Sequence, residues 1–240
     1  MENKTIGSAR ISPALPLSGK KALVTGGRNG NLGPVWVETL EAFGVGVKIL
    51  DLPDNDITQP SSVWTWDIHG YTPDIIINNA AIDPKPSDKG GGFWRYDDVV
   101  DVNLKGALNV CAHFIPAMIR SGGGVIINIG SIMGNIAADF RNYPPGFDKA
   151  VGYNVSKAAL IQLSRSIAVQ YGQHNIRAVT ISFGPYDSGL PEDFKKKFLA
   201  NVPLGRCVSK ESLRATLIYA ITCPELTGQQ ILVDGGYISL

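Results

Sequence analysis

Short apolar runs alternate along this chain with longer segments in which apolar residues recur at helical spacing. Amphipathic segments at 33–43, 93–120, 150–172 and 209–222 predict helices. Continuous apolar strands joined by helices are typical of a parallel sheet that is covered on both faces. We therefore expect an α/β fold with a doubly wound parallel sheet. The apolar runs lie at residues 21–27, 45–51, 74–81, 124–131, 176–184 and 229–236.

The stretch between the second and third of these runs is short. Only 22 residues separate Asp51 from Asp74, which leaves little room for a full strand–helix–strand crossover and a further element. We therefore expect the helix that usually follows strand two to be missing. Residues 54–57, "DNDI", would then form a short additional strand, and the sheet would have about seven strands.

Composition and charge exclude several classes of partner. The 240 residues favour one domain at 18–240, preceded by a polar N-terminal arm at 1–17. With 22 basic and 21 acidic residues, the charge balance favours neither nucleic acid nor an anionic membrane as partner. Three widely spaced cysteines give no metal-ligand pattern and fit a reducing, cytoplasmic setting, and no apolar run is long enough to cross a membrane.

A glycine-rich segment, "TGGRNGNLG" at 25–33, joins the first predicted strand to the first predicted helix. Gly26, Gly30 and Gly33 would let the backbone turn tightly and bring a pyrophosphate to the helix N-terminus. An ordinary turn between strand and helix is the alternative for such a cluster. The position between strand and helix favours a dinucleotide site.

The second strand ends on an acid that bears on the choice of cofactor. Asp51 stands 18 residues after Gly33, where a carboxylate can hold the adenosine ribose hydroxyls and repel a 2′-phosphate. Arg28 favours the opposite choice, because a cation in this loop could bind that phosphate. Giving Asp51 the greater weight, we expect NAD rather than NADP.

Tyr153 and Lys157 lie one helical turn apart on the same face of a predicted helix. Each could be an ordinary packing or surface residue. Together they suit proton transfer, because a nearby ammonium would lower the tyrosine pKa from its usual value of about 10. The pair alone is common in helices, so its meaning depends on the motifs around it.

Seven motifs in order resemble the short-chain dehydrogenase/reductase family: "TGGRNGNLG", "NNAA", "DVNLKGA", "NIGS", "YNVSK", "FGP" and "TGQQILVDGG". The resemblance extends from about Ser18 to Leu240 and implies a single-domain, NAD(P)-dependent oxidoreductase that interconverts a secondary alcohol and a ketone. It also implies a homotetramer or a homodimer. The implied catalytic residues are Asn103, Ser131, Tyr153 and Lys157.

In these implied roles, Tyr153 exchanges a proton with the substrate oxygen and Lys157 also binds the nicotinamide ribose. Ser131 orients the substrate, and the backbone carbonyl of Asn103 serves a water in a proton relay. The implied cofactor-binding residues are Gly26, Arg28, Asn29, Gly30, Leu32, Gly33, Asp51, Asp56, Asn79, Ala80, Ala81, Tyr153, Lys157, Gly184 and Ser188.

The chain also departs from the family pattern. The glycine loop is one residue longer than usual, so that either Gly30 or Asn31 could hold its middle position. Phe183 stands where a proline is more usual, beside the expected nicotinamide pocket. Ser188 is taken as the substitute for a threonine that often binds the carboxamide.

The largest departure is an insertion between Ser131 and Tyr153, which are 22 residues apart. Tyr143 has the more usual spacing from Ser131, but Phe147 stands where its lysine partner would be. The extra residues, 135–150, are expected to form a loop beside the active site at the carboxyl end of a strand. Arg141, Tyr143 and Lys149 would then be available to a polar or anionic substrate, such as a sugar derivative; a surface or subunit-contact loop is the alternative.

Two other functions are compatible with the fold. A sugar-nucleotide epimerase or dehydratase would need a further C-terminal substrate domain, for which the chain has no room. A non-catalytic dinucleotide-sensing regulator commonly loses the tyrosine–lysine pair, and this chain keeps it.

Overall fold

The computed structural model describes residues 17–66, 70–83 and 96–239, apart from the side chain of Trp66. Within these residues, six strands form one parallel sheet. The strands are β1 (Lys21–Thr25), β2 (Gly46–Leu50), β3 (Ile75–Asn78), β4 (Gly124–Ile129), β5 (Ile176–Phe183) and β6 (Gln230–Val233). Their order across the sheet is β2-β1-β3-β4-β5-β6.

Seven α-helices and several short turns connect the strands in the described part of the chain. The helices are α1 (Gly33–Ala42), α2 (Pro60–Trp66), α3 (Tyr96–Val100), α4 (Gly106–Arg120), α5 (Val151–Tyr171), α6 (Glu192–Leu199) and α7 (Lys210–Thr222). A π-helical turn, Asp101–Lys105, joins α3 to α4. Single 3-10 turns lie at Ile132–Gly134, Phe140–Asn142, Gly172–His174 and Tyr237–Ser239.

Helices cover both faces of the sheet, which confirms the doubly wound fold. On one face α1 and α7 bury Trp36 and Leu217 against the strands. On the other face α4 and α5 bury Phe114 and Ile167. Ile75, Ile76 and Ile77 of β3 alternate between these two cores, which explains why the strand is apolar up to its last residue, Asn78.

The expectation of about seven strands is wrong for the described residues. Residues 54–57 instead lie in two successive turns and the short link between them, and the Asn55 backbone N–H donates to the Asp51 carbonyl at 3.0 Å. The Asp56 carboxylate accepts from the Thr58 backbone N–H at 2.9 Å. Such local bonds compete with strand pairing. The chain then enters α2, so a helix does lie between β2 and β3, and the element missing from the expected pattern is the extra strand.

The N-terminal boundary lies slightly earlier than the sequence suggests. Leu17, the last residue of the predicted arm, is buried in the core beside the first strands. The rest of that arm, residues 1–16, lies outside the described residues. So do residues 93–95, at the start of the long helix predicted at 93–120.

The strand order places a crevice at the centre of the sheet. From β1 the chain moves outward to β2, and from β3 it moves in the opposite direction toward β6. Helices that leave β1 and β3 therefore lie on different sides, and a crevice opens at the carboxyl ends of these two strands. Ligands of open α/β sheets bind in such crevices.

Candidate active site

A cavity of ≈ 430 Å³ occupies this crevice. It is lined by the glycine loop, by the turn after β2, by the segment after β3 and by the Tyr153–Lys157 pair. The predicted residues that line it are Gly26, Asn29, Gly30, Leu32, Gly33, Asp51, Asp56, Asn79, Ala80, Ala81, Tyr153 and Lys157. Residues from four separate parts of the sequence thus meet at one site.

Backbone contacts fix the glycine loop. Gly26 and Gly30 have φ angles of 61° and 81°, which L-amino acids with side chains rarely adopt. A β-carbon on Gly33 would lie 2.1 Å from the Gly26 carbonyl oxygen, so only glycine fits where the loop enters α1. The Asn79 side-chain amide donates to the carbonyls of Gly26 at 2.9 Å and Thr25 at 3.0 Å, which ties the loop to the end of β3.

The acid at the end of β2 is held by the loop itself. One Asp51 carboxylate oxygen accepts from the Arg28 backbone N–H at 3.0 Å, and the other accepts from the Leu52 N–H at 2.9 Å. The Arg28 guanidinium points elsewhere and forms a 2.5 Å ion pair with Asp54. Asp51 therefore lines the cavity, whereas Arg28 is not among the lining residues.

Lys157 is almost fully buried at the floor of the cavity. Its ammonium donates to the Ile129 carbonyl at 2.7 Å and lies 5.6 Å from the centre of the Tyr153 ring. Burial lowers the lysine pKa from 10.5 to about 8, against an opposing effect of Asp83. The charged form of this lysine is therefore costly in the protein chain alone.

The pKa of Tyr153 is shifted upward, mainly by burial and further by the negative charge of Asp83. A side-chain hydrogen bond with Ser131 acts in the opposite direction. The lowered tyrosine pKa expected from the sequence is thus wrong for the protein chain alone. The reason is that desolvation of the phenolate outweighs its hydrogen bond, and that Lys157 directs its ammonium to a backbone carbonyl.

Asn103 lies in the π-helical turn and is buried. Its side chain accepts from the Ile82 backbone N–H at 2.8 Å and donates to the Ile82 carbonyl at 3.1 Å. It also donates to the Ser156 hydroxyl at 3.2 Å, which in turn donates to the Tyr153 carbonyl at 2.8 Å. Asn103 therefore ties the segment after β3 to the helix that carries Tyr153, a clamp that the sequence did not predict.

Ser131 begins the 3-10 turn after β4, and its hydroxyl accepts from the Met133 backbone N–H at 3.1 Å. This bond caps the turn. The same hydroxyl is also the hydrogen-bond partner of Tyr153. Ser131 is thus fixed by the backbone while remaining beside the tyrosine.

The three residues named from the insertion have different surroundings. The Arg141 side chain is 87% exposed, and its guanidinium is bound by the neighbouring Asp139 at 2.8 Å. Tyr143 stacks on Phe147, with ring centres 4.1 Å apart. The Lys149 ammonium lies over Tyr153, 4.6 Å from its ring centre.

Three further positions lie outside the cavity lining. Ser188 is exposed. Gly184 pairs through its N–H with the Val233 carbonyl and packs against Asp234. Phe183 is buried and stacks on Trp36 at 5.8 Å, so it contributes to the core rather than to the pocket.

Several residues that sequence reasoning missed also line the cavity: Leu50, Leu52, Asn55, Ile57, Ile82, Val102, Ile129 and Gly130. Both Gly30 and Asn31 are among the lining residues, so the loop presents two successive residues at its tip. Most of the missed residues lie at the last position of a strand or within a few residues after it. Their positions near the carboxyl ends of strands could have identified them from the sequence, although their residue types gave no indication of ligand binding.

The described residues contain no group of histidine, cysteine, aspartate or glutamate side chains arranged to hold a metal ion. Among the helices in those residues, none is long and apolar enough to cross a membrane.

The fold and the site together define a dinucleotide-binding α/β protein. Residues 65–238 match the family model described as enoyl-(acyl carrier protein) reductase. The 3-oxoacyl-(acyl-carrier-protein) reductase FabG of Chlamydia trachomatis is 31% identical over 219 residues, which cover 88% of this chain and 84% of that protein. An uncharacterized oxidoreductase of Thermotoga maritima is 33% identical over 68% of this chain, an alignment that spans 66% of the relative.

Two solved structures have a similar fold. A short chain dehydrogenase from Leptospira borgpetersenii with bound NAD+ is 26% identical and superposes with a TM-score of 0.82, covering 92% of this chain and 93% of the other. A gluconate 5-dehydrogenase from Burkholderia cenocepacia, in complex with NADP and tartrate, is 19% identical with a TM-score of 0.76 and coverages of 95% and 99%. The chain belongs to the short-chain dehydrogenase/reductase family, and it is an oxidoreductase that uses NAD(P).

Proposed function

We propose that this protein is an NAD-dependent oxidoreductase that interconverts a secondary alcohol and a ketone. The observation that supports this most strongly is the convergence of four chain segments on one cavity. The glycine loop and Asp51 lie at one end, and the Tyr153–Lys157 pair lies at the other. A non-catalytic dinucleotide sensor would need only the first end.

The residues present fit a nicotinamide dinucleotide. A β-carbon placed on Gly30 would have no other atom within 4 Å, so the space beside this glycine is open. A pyrophosphate can therefore approach the N-terminus of α1 closely. Asp51 would hold the adenosine ribose, and Lys157 the nicotinamide ribose. When bound, the cofactor supplies or accepts the hydride.

On the protein side, Tyr153 is the proposed proton donor and acceptor. Its hydroxyl is protonated at neutral pH and can donate a proton to a carbonyl oxygen in the reductive direction. The raised pKa makes the phenolate, which the reverse direction needs, costly in the protein chain alone. Ser131, already a hydrogen-bond partner of that hydroxyl, would orient the same substrate oxygen. Asn103 positions helix α5 through its hydrogen bond to Ser156. In addition to this structural role, its backbone carbonyl would bind a water in the proposed proton relay.

A preference for NAD over NADP is part of the proposal. Asp51 is held by two backbone N–H groups on the cavity wall, where it would repel a 2′-phosphate. Arg28 could offset that repulsion, but its guanidinium is paired with Asp54. The structural neighbour from Leptospira, which has bound NAD+, supports the same choice.

The proposed substrate is a sugar derivative or another polar alcohol. Beside Tyr153 the insertion presents Lys149 and the phenol of Tyr143, whose environment includes the charge of Asp83. These groups suit a substrate with several polar atoms. Arg141 contributes less to this proposal because Asp139 holds its guanidinium at the surface.

The proposed assembly is a homotetramer or a homodimer. Several apolar side chains on the outer faces of α4 and α5 are exposed, among them Leu108 at 44%, Val155 at 54% and Val169 at 88%. A face of this kind is suited to pack against another copy. A light-scattering mass near 25.7 kDa at micromolar concentration would contradict it.

A reducing, cytoplasmic location completes the proposal. All three cysteines are unpaired, and Cys111 is buried with a pKa raised to about 11 by desolvation. Fractionation of the source cells with an antibody to the protein would test this location.

The decisive experiment follows NADH absorbance over a panel of polar ketones, 2-oxo acids and 3-oxoacyl thioesters. Tyr153→Phe removes the proton path and is expected to lower kcat by about 10²–10⁴-fold, with NADH binding unchanged. Tyr143→Phe is the matched control and should affect the chemical step far less. Near wild-type turnover by Tyr153→Phe would overturn the catalytic assignment.

A further inference from the structure

An ion pair between Lys149 and Asp83 lies against the face of Tyr153. It joins the last part of the insertion to the segment that follows β3. The lysine side chain is only 11% exposed, whereas the aspartate side chain is 40% exposed. The cation is thus withdrawn from solvent beside the proposed reaction centre, and its carboxylate partner lies on the more accessible side.

The Asp83 carboxylate is surrounded by proton-donating groups. Its charge contributes to the raised pKa values of Tyr143 and Tyr153, and it acts on Lys157 as well. Together with Lys149, two phenols and two lysines therefore lie within electrostatic reach of one carboxylate. Groups of this kind are suited to stabilise an anion.

We propose that Lys149 is the carboxylate-binding group of the substrate site, and that Asp83 holds it until a substrate carboxylate takes its place. The substrate class is then a short hydroxy acid and its oxo acid. This inference rests on the proposed function and names the substrate of the same site.

The geometry limits where the acid group can be. The Lys149 ammonium contacts the ring that carries the reacting hydroxyl, at 4.6 Å from the ring centre. A carboxylate bound to it must therefore belong to a carbon next to the reacting carbon, or to one further along. A long chain between the two groups would carry the carboxylate past the lysine.

The exchange is reasonable energetically because an ammonium withdrawn from solvent is stabilised by an anionic partner. Asp83 supplies that partner in the protein alone and is exposed enough to turn toward solvent when another carboxylate arrives. A neutral polyol would be recognised differently: it would donate hydroxyl hydrogen bonds to Asp83 and leave the ion pair intact. Removing the Asp83 charge should therefore strengthen the binding of a carboxylate substrate and weaken the binding of a neutral polyol.

The test uses a matched pair of unreactive probes, oxamate and oxamide, which share an amide carbonyl and differ in charge. Each is titrated by calorimetry into the protein, with and without saturating NADH. Oxamate should bind at least about 10-fold more tightly than oxamide, and Lys149→Met should remove that difference, in line with the value of charged hydrogen bonds. Asp83→Asn should strengthen oxamate binding several-fold, because the internal competitor is lost.

Controls separate a local effect from a general one. Lys149→Arg keeps the charge and should retain the preference for oxamate. Lys210→Met removes a lysine that is paired with Glu38 on α1, and should leave both titrations unchanged. NADH affinity and circular dichroism of each variant show whether it is folded.

Oxamate binding that is unaffected by Lys149→Met overturns the inference. Xylitol, a neutral polyol, is titrated in the same way. A loss of xylitol binding in Asp83→Asn without a gain for oxamate also overturns the inference, since that pattern belongs to a neutral polyol site. These outcomes are independent of turnover: if Tyr153→Phe remained active while the oxamate results held, the catalytic assignment would fail and the carboxylate site would stand.

Discussion

At the glycine loop, Gly26 and Gly33 approach so closely that a single β-carbon would not fit, whereas across the cavity the insertion is held by stacked rings. We call residues 26–33, 51–57 and 79–82 the cofactor half. The substrate half consists of the insertion at 135–150, helix α6 and the C-terminal turn Tyr237–Ser239.

In the substrate half, rings from three distant parts of the chain form a ladder. Tyr143 packs on Phe194 of α6 at 5.0 Å, Phe194 on Phe198 at 5.7 Å, and Phe198 on Tyr237 at 4.4 Å. Ring stacking tolerates substitution by other apolar groups better than a backbone contact does. We therefore expect the cofactor half to tolerate few substitutions and the substrate half to be the part in which specificity can change.

The largest effect is expected for Gly33→Val. Its β-carbon would lie 2.1 Å from the Gly26 carbonyl oxygen, so the loop must move out of place. We expect NADH affinity to fall by at least about 1,000-fold, equivalent to about 4 kcal/mol. Gly46→Val is the control, because a β-carbon there comes no closer than 3.8 Å to Lys20. Fluorescence titration with NADH measures both, and retained binding by Gly33→Val would show that the cofactor half adapts.

Lys157 lies between the two halves and gives a pH-dependent effect. Its pKa in the folded protein is about 8, below the ordinary 10.5, so the unfolded chain binds more protons between these values. Stability contributed by this group therefore rises as pH increases through that window, because the cost of the buried charge disappears.

We expect the wild type to gain on the order of 2 kcal/mol of unfolding free energy relative to Lys157→Met between about pH 7.5 and 10. Urea denaturation at several pH values measures the difference, with the exposed Lys196→Met as control. A difference that does not change with pH would mean that the lysine is hydrated in solution.

The cofactor half was the more predictable from sequence, and the contrast explains why. A tight turn needs glycine, so Gly26 and Gly33 follow from residue type, and the position of Asp51 after a predicted strand indicated that it would line the cavity. Continuous apolar runs likewise indicate strands with two buried faces. The prediction of an extra strand at 54–57 was wrong because this segment forms local hydrogen bonds, such as that from the Thr58 N–H to the Asp56 carboxylate, and such bonds do not show in the periodicity of the sequence.

The substrate half could not be predicted to the same depth. Nothing in the spacing of Asp83 and Lys149, which are 66 positions apart, indicates that they pair. The ring ladder depends in the same way on where α6 and the C-terminal turn pack. The raised pKa of Tyr153 also results from tertiary burial, which a tyrosine–lysine spacing on a helix does not reveal.

A moderate effect, confined to the substrate half, is expected for Tyr143→Ala. This change removes the ring that links Phe147 to Phe194 and leaves the glycine loop untouched. We expect KM to rise about 10-fold, or roughly 1.4 kcal/mol, with NADH affinity unchanged. Phe140→Ala, on the same insertion but 56% exposed, should have a much smaller effect. Equal losses of NADH and substrate affinity would show that the two halves are coupled.

The smallest effect is expected at the surface of the cofactor half, for Asp54→Asn. The Asp54 carboxylate holds the Arg28 guanidinium at 2.5 Å, and both side chains are largely exposed. Exposed ion pairs are worth about 1 kcal/mol or less, so releasing Arg28 should improve NADPH affinity by no more than about 5-fold. NADH affinity should stay constant, because Asp51 keeps its two backbone N–H bonds. Arg28→Ala in the same background should cancel the gain, since no cation would remain to meet the 2′-phosphate. Titration of each variant with both cofactors measures this, and a gain that survived Arg28→Ala would show that Asp54 acts through its own charge.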